Sequence, residues 1–285
     1  MDIVEDIVSE MAAEQCTAPA VCIQQGAYLL ELSLDWIVLR ASENIHQLLG
    51  ESHVTLIDEP LGKFVHSQAL HDLRNLFSKL SGTTGIGRAF AVRLTDDPDL
   101  VDIAFQQVDG RVLLEAVPSV GCFGECFGSV GGLIAGLANS KGQALLDGGA
   151  RRMRALTGYD RVILSCGDRR AESSRGAFGG TVDPSDLPIL IADTGAPAVH
   201  LFPRDDEDSA AQAALLRAPE ESDRTKLKDK GIAAMQRIPF KAGGVDCQFC
   251  CESRNPREPS FELHAAAELF AQMFAMRLAI NEASA

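Results

Sequence analysis

After a helical pattern at 2–14, apolar positions up to residue 118 of this 285-residue chain follow strand-like spacing, then helical spacing, then strand-like spacing again. Short apolar runs bounded by turn residues predict strands, and apolar residues recurring every three or four positions predict helices. The helices are predicted at 2–14, 43–50 and 67–82, and the strands at 27–33, 36–42, 87–94, 101–107 and 111–116. A hairpin, helices and then three strands indicate an antiparallel sheet with helices on one side, which is an α+β domain.

A joint rich in Pro and Gly, PSVGCFG at 118–124, separates this block from a second one. In the second block, Gly158 is placed to end a helix and Ser260 to begin one. Helices are predicted at 125–139, 143–157 and 260–282, a polar helix-prone stretch at 208–230, loops at 179–207, and strands at 159–166, 171–178, 235–242 and 245–253. This order again indicates a sheet with helices on one side. The predicted organisation is an N-terminal segment at 1–26, a first domain at 27–118 and a second domain at 119–285.

The charge balance excludes two classes of partner. Lys and Arg number 26 against 40 Asp and Glu, for a formal net charge of −14. Nucleic acid and anionic lipid bind clustered cations, so neither is an expected partner. No apolar run reaches the roughly 18 residues of a membrane span, and the acidic N-terminus lacks the layout of a signal peptide. The sequence therefore predicts a cytoplasmic protein.

The eight cysteines could form a zinc site or remain ordinary reduced thiols. They are Cys16, Cys22, Cys122, Cys126, Cys166, Cys247, Cys250 and Cys251. Two loose clusters, at 122–126 and 247–251, could hold zinc. However, neighbours in a strand-like run point to opposite faces, and buried thiols are common in cores. We expect reduced thiols and no metal site, as is usual in the cytosol.

No familiar catalytic motif is present. The chain lacks G-x-S-x-G, H-E-x-x-H, a P-loop and a Rossmann fingerprint, and its six His show no catalytic spacing. The acidic run at 205–208 could bind a cation, although such runs are usually solvated loops. The sequence thus predicts a protein that is not an enzyme.

The last predicted helix carries two apolar stripes. Leu263, Phe270, Phe274 and Leu278 can cover the domain's own sheet. The second stripe comprises Leu269, Met273, Met276 and Ile280. Two stripes indicate either a partner helix on the outer side or one wide core face.

Five stretches in order resemble one known family. RALTGYDRVIL (154–164) resembles the opening of the GAF domain of bacterial phytochromes. Stretches 23–30 and 38–50 resemble phrases of the preceding PAS domain, 183–188 resembles the GAF phrase PASDIP, and 252–278 resembles the GAF exit helix. The resemblance covers nearly the whole chain and implies a PAS–GAF photosensory module.

Several properties follow from that resemblance. Family members hold a linear tetrapyrrole (biliverdin) in the GAF domain through a Cys that precedes the PAS domain, and they pair through GAF helices. The resemblance also implies a figure-of-eight knot, in which residues 15–26 pass through an insertion at 204–230. The candidate chromophore-binding residues are Cys16, Cys22, Tyr159, Ser185, Asp186, Asp223 and Glu252, and the candidate homodimer residues are Leu269, Met273, Met276 and Ile280.

The chain departs from the family's pocket pattern. Asp186 stands where the Asp of PASDIP stands, and in the family its carbonyl and carboxylate serve the pyrrole nitrogens and the signalling arm. Asp223 and Lys226 replace a His and a Tyr, Glu252 and Ser253 replace a His pair, and the helix with a propionate-binding Arg is deleted. Acidic replacements repel propionates. A degenerate pocket is therefore expected.

Two functions remain open at this stage. The first is a sensory input module that acts through dimerisation or a separate signalling protein, without a covalently bound bilin. The alternative is a functional red-light photoreceptor with biliverdin in an atypical pocket. The chain ends shortly after the predicted exit helix. It is therefore either a piece of a longer sensor or a module whose output is another protein.

Overall fold

The structure, a computed structural model, describes residues 21–80, 85–120, 124–204 and 210–283. The predicted helix at 2–14, Cys16 and the acidic run at 205–208 lie outside the described residues. The helices are α1 His46–Leu49, α2 His53–Leu56, α3 Ser67–Ser78, α4 Glu125–Ala135, α5 Gly142–Thr157, α6 Glu221–Asp229 and α7 Phe261–Ala283, with 3-10 turns at Leu61–Lys63 and Ala211–Ala213. The strands are β1 Cys22–Gln24, β2 Tyr28–Leu32, β3 Val38–Ser42, β4 Gly87–Val92, β5 Val101–Val108, β6 Arg111–Pro118, β7 Arg161–Cys166, β8 Arg169–Ser174, β9 Leu190–Ile191, β10 Ala198–Phe202, β11 Ala234–Ala242 and β12 Val245–Ser253.

Two sheets organise the described chain into an α+β fold. The first sheet has seven strands in the order β1-β10-β3-β2-β6-β5-β4, and the second has five in the order β8-β7-β12-β11-β9. The strand pairs within both sheets are antiparallel. The fold class predicted from the sequence is therefore confirmed.

Alternation along the strands of the first sheet separates its two faces. On β6, Leu114 and Ala116 point into a core with Trp36 and Phe105, which α1 to α3 cover. Leu113 and Val117 point to the other face, as period-two geometry requires. That other face is also buried, because parts of the second half of the chain pack on it.

One strand of the first sheet comes from the predicted loop region at 179–207. β10 pairs with β3 on one side and with β1 on the other, for example Leu201 with Ser42 and Val199 with Ile23. The opposite edge of β1 meets residues 213–218, here called the crossing segment. The sequence pattern did not predict β10, because its partner strands are more than 150 residues away in the chain and no nearby turn indicates the pairing.

β1 is bonded on both edges to the second half of the chain. The amide of Gln24 donates to the carbonyl of Leu216 at 3.0 Å, and the amide of Ala218 donates to Cys22 at 2.8 Å. This position suits the predicted threading of residues 15–26. The described residues omit 15–20 and part of the insertion, so the knot itself stays a prediction.

The helix face of the second sheet is an aromatic core covered by α4, α5 and α7. Phe249 of β12 lies 5.5 Å from Phe274 of α7, and Phe270 stacks on Phe274 at 6.2 Å between ring centroids. A Cβ at Gly149 would lie 2.5 Å from the Phe274 ring. Glycine at this position therefore lets α5 approach α7 closely.

One short helix also lies on the other face of the second sheet. The opposite face, here called the loop face, is covered by α6 and the loops before β9. Leu227 of α6 packs with Ile163 and Cys250 there. Among the described residues of the predicted helix-prone stretch at 208–230, the α-helix is limited to Glu221–Asp229, because the crossing segment is extended to bond β1.

The cysteines also differ from the prediction of reduced thiols. Cys166 and Cys247 are cross-strand partners on β7 and β12 and form a disulfide. Cys250 and Cys251 are buried on opposite faces of β12. Within the described ranges, no group of three or more His, Cys, Asp or Glu is placed to hold a metal ion. None of the helices described is long and apolar enough to cross a membrane.

Candidate functional site

The loop face of the second sheet concentrates polar side chains. Cross-strand pairing places them in rows, because partners on antiparallel strands share a face. The rows are Arg161–Glu252–Met235, Ile163–Cys250–Arg237 and Ser165–Gln248–Pro239. Such a mixture of ions, thiol and amide on a sheet interior marks this face as the candidate site.

An open trough occupies one end of the loop face. Its volume is about 690 Å³, which lies within the size range of small-molecule sites. Ser165, Gln248 and Ser185 line it, and Lys241 and Asp246 form an exposed ion pair of 3.2 Å at its rim. The trough could admit a small molecule, although its walls carry few aromatic rings.

Residues 183–188, here called the aspartate loop, border the trough. Their backbone carbonyls accept hydrogen bonds from two arginines. Arg237 donates to the carbonyls of Pro184, Ser185 and Pro188, the last two at 3.1 and 3.3 Å. Arg217 donates to the carbonyl of Asp186 at 3.1 Å. Burial lowers the pKa of Arg237, yet the group remains a cation because arginine titrates far above neutrality.

A buried ion pair fills the middle of the loop face. Arg161 pairs with Glu252, donates to the carbonyl of Gly180 at 2.6 Å and lies 4.1 Å from the ring centroid of Phe178. Burial raises the pKa of Glu252, and the contact with Arg161 opposes that rise. Because the pair is capped by Phe178 and the loop carbonyl, this part of the face offers no entry to a ligand.

Apolar packing closes the rest of the face. Ile163, Met235 and Cys250 of the sheet contact side chains from the covering elements. Those side chains are Leu187, Ile191, Leu227 and Ile232, with Phe178 and Val182 at the edge. The loop face is therefore filled at its inner part and open only at the trough.

Four of the predicted chromophore-binding residues lie on or beside this face. Ser185 lines the trough, the Asp186 carbonyl is bonded to Arg217, and Glu252 is paired with Arg161. Asp223 lies on α6, where it accepts a bond of 2.8 Å from Lys226. The bond from Asp223 raises the pKa of Lys226, and the charge of Asp186 adds a smaller contribution in the same direction.

The other predicted residues are elsewhere. Tyr159 lies in the helix-face core, under the guanidinium of Arg257 at 4.4 Å, and burial raises its pKa. Cys22 lies on β1 of the first sheet, where its Sγ is 3.2 Å from Nδ1 of His200. Burial raises the pKa of the Cys22 thiol. Cys16 lies outside the described residues, and Cys22 is not among the residues that line the trough.

Sequence reasoning missed the arginines that hold the aspartate loop. Arg237 stands inside the apolar strand MQRIPFKA, and a cation in such a strand indicates a buried partner. That signal was available. Arg217 gives no comparable signal, because it lies in a polar stretch whose extended conformation depends on distant partners.

The outer surface of α7 and the adjoining α4 form a second feature. The predicted core stripe is buried at Phe270, Phe274 and Leu278. The predicted dimer stripe is exposed at Leu269, Met276 and Ile280, whereas Met273 packs partly against the core. On α4, no atom lies within 4 Å of the position of an added Cβ at Gly128, Gly131 or Gly132. We call this exposed region the α4–α7 surface.

The helix-covered core of the first sheet offers no comparable space. A cavity of about 10 Å³ lies among Leu30, Leu73, Leu114 and their neighbours. This volume is at or below what one water molecule needs. The interior of the first sheet is therefore packed, and the trough on the second sheet stays the candidate ligand site.

Comparison with known proteins identifies the fold. No protein-family model and no curated protein matches the chain. The chromophore-binding domain of Stigmatella aurantiaca phytochrome P1 is 21% identical, covers 93% of this chain and 99% of its own, and superposes with a TM-score of 0.71. The chromophore-binding domain of an unusual bacteriophytochrome from R. palustris, RpBphP3, is 21% identical, covers 95% of this chain and 99% of its own, and has a TM-score of 0.72.

A longer structure matches equally well. The Stigmatella aurantiaca phytochrome photosensory core module is 22% identical with a TM-score of 0.76, and the match spans 93% of this chain and 60% of that one. At this identity the likeness shows the fold. The chain has the fold of a phytochrome chromophore-binding domain, in which a PAS sheet and a GAF sheet, here the first and second sheets, are joined.

Proposed function

We propose that this chain is a sensory input module of the phytochrome type that works without a covalently bound bilin and carries no catalytic activity. One observation carries the proposal. The Asp186 carbonyl, which the family resemblance assigns to pyrrole N–H groups, already accepts a bond from Arg217. Arg237 occupies neighbouring carbonyls of the same loop. A bilin would have to displace these charged donors.

The charges on the loop face support the same conclusion. A bilin brings two propionates, which need cations with free hydrogen-bonding capacity. Arg161 is engaged by Glu252, Lys241 by Asp246, and Arg237 by loop carbonyls. Removing Arg161 from Glu252 leaves a buried carboxylate unpaired, which costs free energy, whereas the Lys241–Asp246 pair is exposed and costs little to separate.

Covalent attachment through Cys22 is also disfavoured. The thiolate is the nucleophile in thioether formation, and burial raises the pKa of Cys22 above its ordinary value. The thiol contacts His200 of the neighbouring strand, in the first sheet. Thus neither its position nor its acidity favours reaction with a tetrapyrrole in the trough.

A pigment assay tests the proposal. The chain is co-expressed with a haem oxygenase beside the chromophore-binding domain of Stigmatella aurantiaca phytochrome P1 as the positive control. We expect no absorbance band in the red region and no zinc-dependent fluorescence of the chain on a denaturing gel. A red band together with gel fluorescence would overturn the proposal.

The alternative is a red-light photoreceptor with biliverdin in an atypical pocket. The trough beside Ser185, with its volume of about 690 Å³, favours this alternative function. A red band without gel fluorescence would support it, because the bilin would then be bound without a covalent link. Reversible change of that band under red light would make the chain a photoreceptor.

We further propose that output passes through a second copy of the chain at the α4–α7 surface. Met276 is 67% exposed and Ile280 57% exposed, and large apolar side chains in one row are unusual on a free surface. The open glycine positions on α4 would let a partner helix approach its backbone closely. A separate signalling protein with an apolar helix could occupy the same surface.

Sedimentation of matched variants tests this surface. Ile280→Glu should weaken self-association at least tenfold, because it places a charge in an apolar contact. Val54→Glu is the control, since Val54 is 58% exposed on α2 of the first sheet. A wild-type chain that sediments as a monomer at every concentration would exclude the second copy.

A further inference from the structure

The Cys166–Cys247 disulfide joins the two hairpins of the second sheet close to their turns. Cys166 is the last residue of β7, and the turn at Gly167 and Asp168 leads from it into β8. Cys247 is the third residue of β12, after the turn that follows β11. The bond therefore ties the β7–β8 hairpin to the β11–β12 hairpin at one end of the sheet.

The trough lies at this same end of the sheet. Its lining includes Cys247, Gly167, Asp246 and Phe240. Phe240 is the cross-strand partner of Cys247 on β11, and its ring centroid lies 6.2 Å from that of Phe274 on α7. A change at the bond therefore acts directly on the wall of the trough and, through Phe240, on the helix that covers the core.

Burial protects the bond while the strand ends are closed. Cys166 is 2% exposed and Cys247 is 5% exposed. Local opening at this end separates few residues, because Cys166 ends β7 and only two residues precede Cys247 on β12. Strand ends beside turns open at a lower free energy than the centre of a sheet. A reductant therefore reaches the disulfide by fraying of the strand ends, without unfolding of the domain.

The sheet keeps the two sulfurs close after the bond is broken. β7 and β12 pair over six positions, from Cys166 with Cys247 to Arg161 with Glu252 at the far end. The far end is also held by the buried Arg161–Glu252 ion pair, which does not depend on the disulfide. The two thiols thus remain on adjacent strands, so re-formation of the bond is an intramolecular step.

We propose that Cys166 and Cys247 form a reversible redox switch, which a dithiol opens and an oxidised dithiol closes, and that the trough end of the second sheet is looser in the open state. A thiolate of the dithiol attacks the Cys247 sulfur, and the bonding electron pair leaves on the Cys166 sulfur. The second thiolate of the dithiol then displaces Cys247 from the mixed disulfide. The chain gains two electrons and two protons as two thiols, and the dithiol becomes a disulfide.

The switch adds a chemical input to the proposed sensory module. It acts through the wall of the trough and through α7, whether or not the trough holds a bilin. A red-absorbing chain in the pigment assay would therefore overturn the proposed function and leave the switch unaffected.

Thiol alkylation of the full chain tests the bond. The protein is equilibrated with mixtures of reduced and oxidised dithiothreitol, quenched with acid and alkylated in denaturant, and peptide masses identify the free cysteines. We expect Cys166 and Cys247 to become free together in one two-electron transition while the circular dichroism of the folded chain persists. Oxidised dithiothreitol should restore the bond. Cys126→Ser, which removes another thiol near the helix face, is the control and should keep the transition.

Amide hydrogen exchange measures the response of the sheet. We expect reduction to speed exchange at 165–170 and 240–248 about tenfold relative to the far end of the β7–β12 pair. Cys166→Ser combined with Cys247→Ser should exchange like the reduced wild type, with or without dithiothreitol. The comparison of oxidised and reduced wild type needs no variant, so it stands even where the double variant does not fold.

Three outcomes would overturn the switch. The first is alkylation of both cysteines in protein that has met no reductant. The second is a bond that excess dithiothreitol opens only when the chain unfolds. The third is equal amide exchange in the oxidised and reduced wild type at 165–170 and 240–248.

Discussion

The two faces of the second sheet are made by the same strands and are held in different ways. On the helix face, Phe249 packs with Phe270 and Phe274, and the contact is apolar and close. On the loop face, Arg161, Glu252 and their neighbours hold the covering loops by ions and hydrogen bonds. Alternate residues of one strand therefore serve a packed core and a polar site.

That difference indicates which face of the second sheet can accept substitutions without loss of the fold. An aromatic core tolerates few changes, because a lost ring leaves a cavity. Bonds from arginines to loop carbonyls can be exchanged for bonds to a ligand at smaller cost. The loop face is thus the side on which this fold can change its polar contacts and still keep its helices in place.

The largest effect on stability is expected from Phe274→Ala on the helix face. Phe274 is fully buried and contacts Phe240, Phe249 and Phe270. Its loss should lower the free energy of unfolding by about 4 kcal/mol. Urea unfolding followed by circular dichroism measures the change. A loss of under 1 kcal/mol would mean that the helix face is not a tightly packed core.

A smaller effect is expected from Glu252→Ala on the loop face. The variant leaves the buried guanidinium of Arg161 without its carboxylate, which should cost about 3 kcal/mol. Arg161 keeps its contacts with Gly180 and Phe178, so the loss should stay at the lower end for a buried pair. Glu172→Ala, whose carboxylate is exposed, should change stability by less than about 0.5 kcal/mol. Equal losses in both variants would contradict the buried pair.

The smallest effect is expected from Arg217→Ala beside the trough. Loss of one exposed bond to the Asp186 carbonyl should cost about 0.5 kcal/mol, at the lower end for a hydrogen bond. It should also speed amide exchange in the aspartate loop relative to β12, which serves as the internal reference. Unchanged exchange in the loop would show that Arg217 does not hold it.

Much of the fold could be predicted because its signals are local. Gly158 ends α5 in a left-handed conformation, with φ of 68°, and its amide caps the carbonyl of Arg154. Ser260 accepts a bond from the amide of Leu263 at the start of α7, as an N-cap does. The β2–β3 and β11–β12 hairpins follow from turn residues between apolar runs.

The candidate site was predicted less completely. Asp186, Ser185 and Glu252 were singled out through motif resemblance, and the structure places them on one side of the second sheet. Tyr159 was singled out in the same way and lies on the opposite face. A motif fixes position in the chain, and the face that a side chain occupies depends on strand register.

The sequence by itself determined many of the helices and strands of this protein, among them the two hairpins and the two-striped exit helix, because spacing and caps act within a few residues. Only the tertiary structure decided that β10 joins the first sheet, that α6 covers the loop face and that Cys166 bonds Cys247. It also decided that Arg217 and Arg237 occupy the aspartate loop. These contacts join residues far apart in the chain, so they stabilise the protein only once both sheets are assembled.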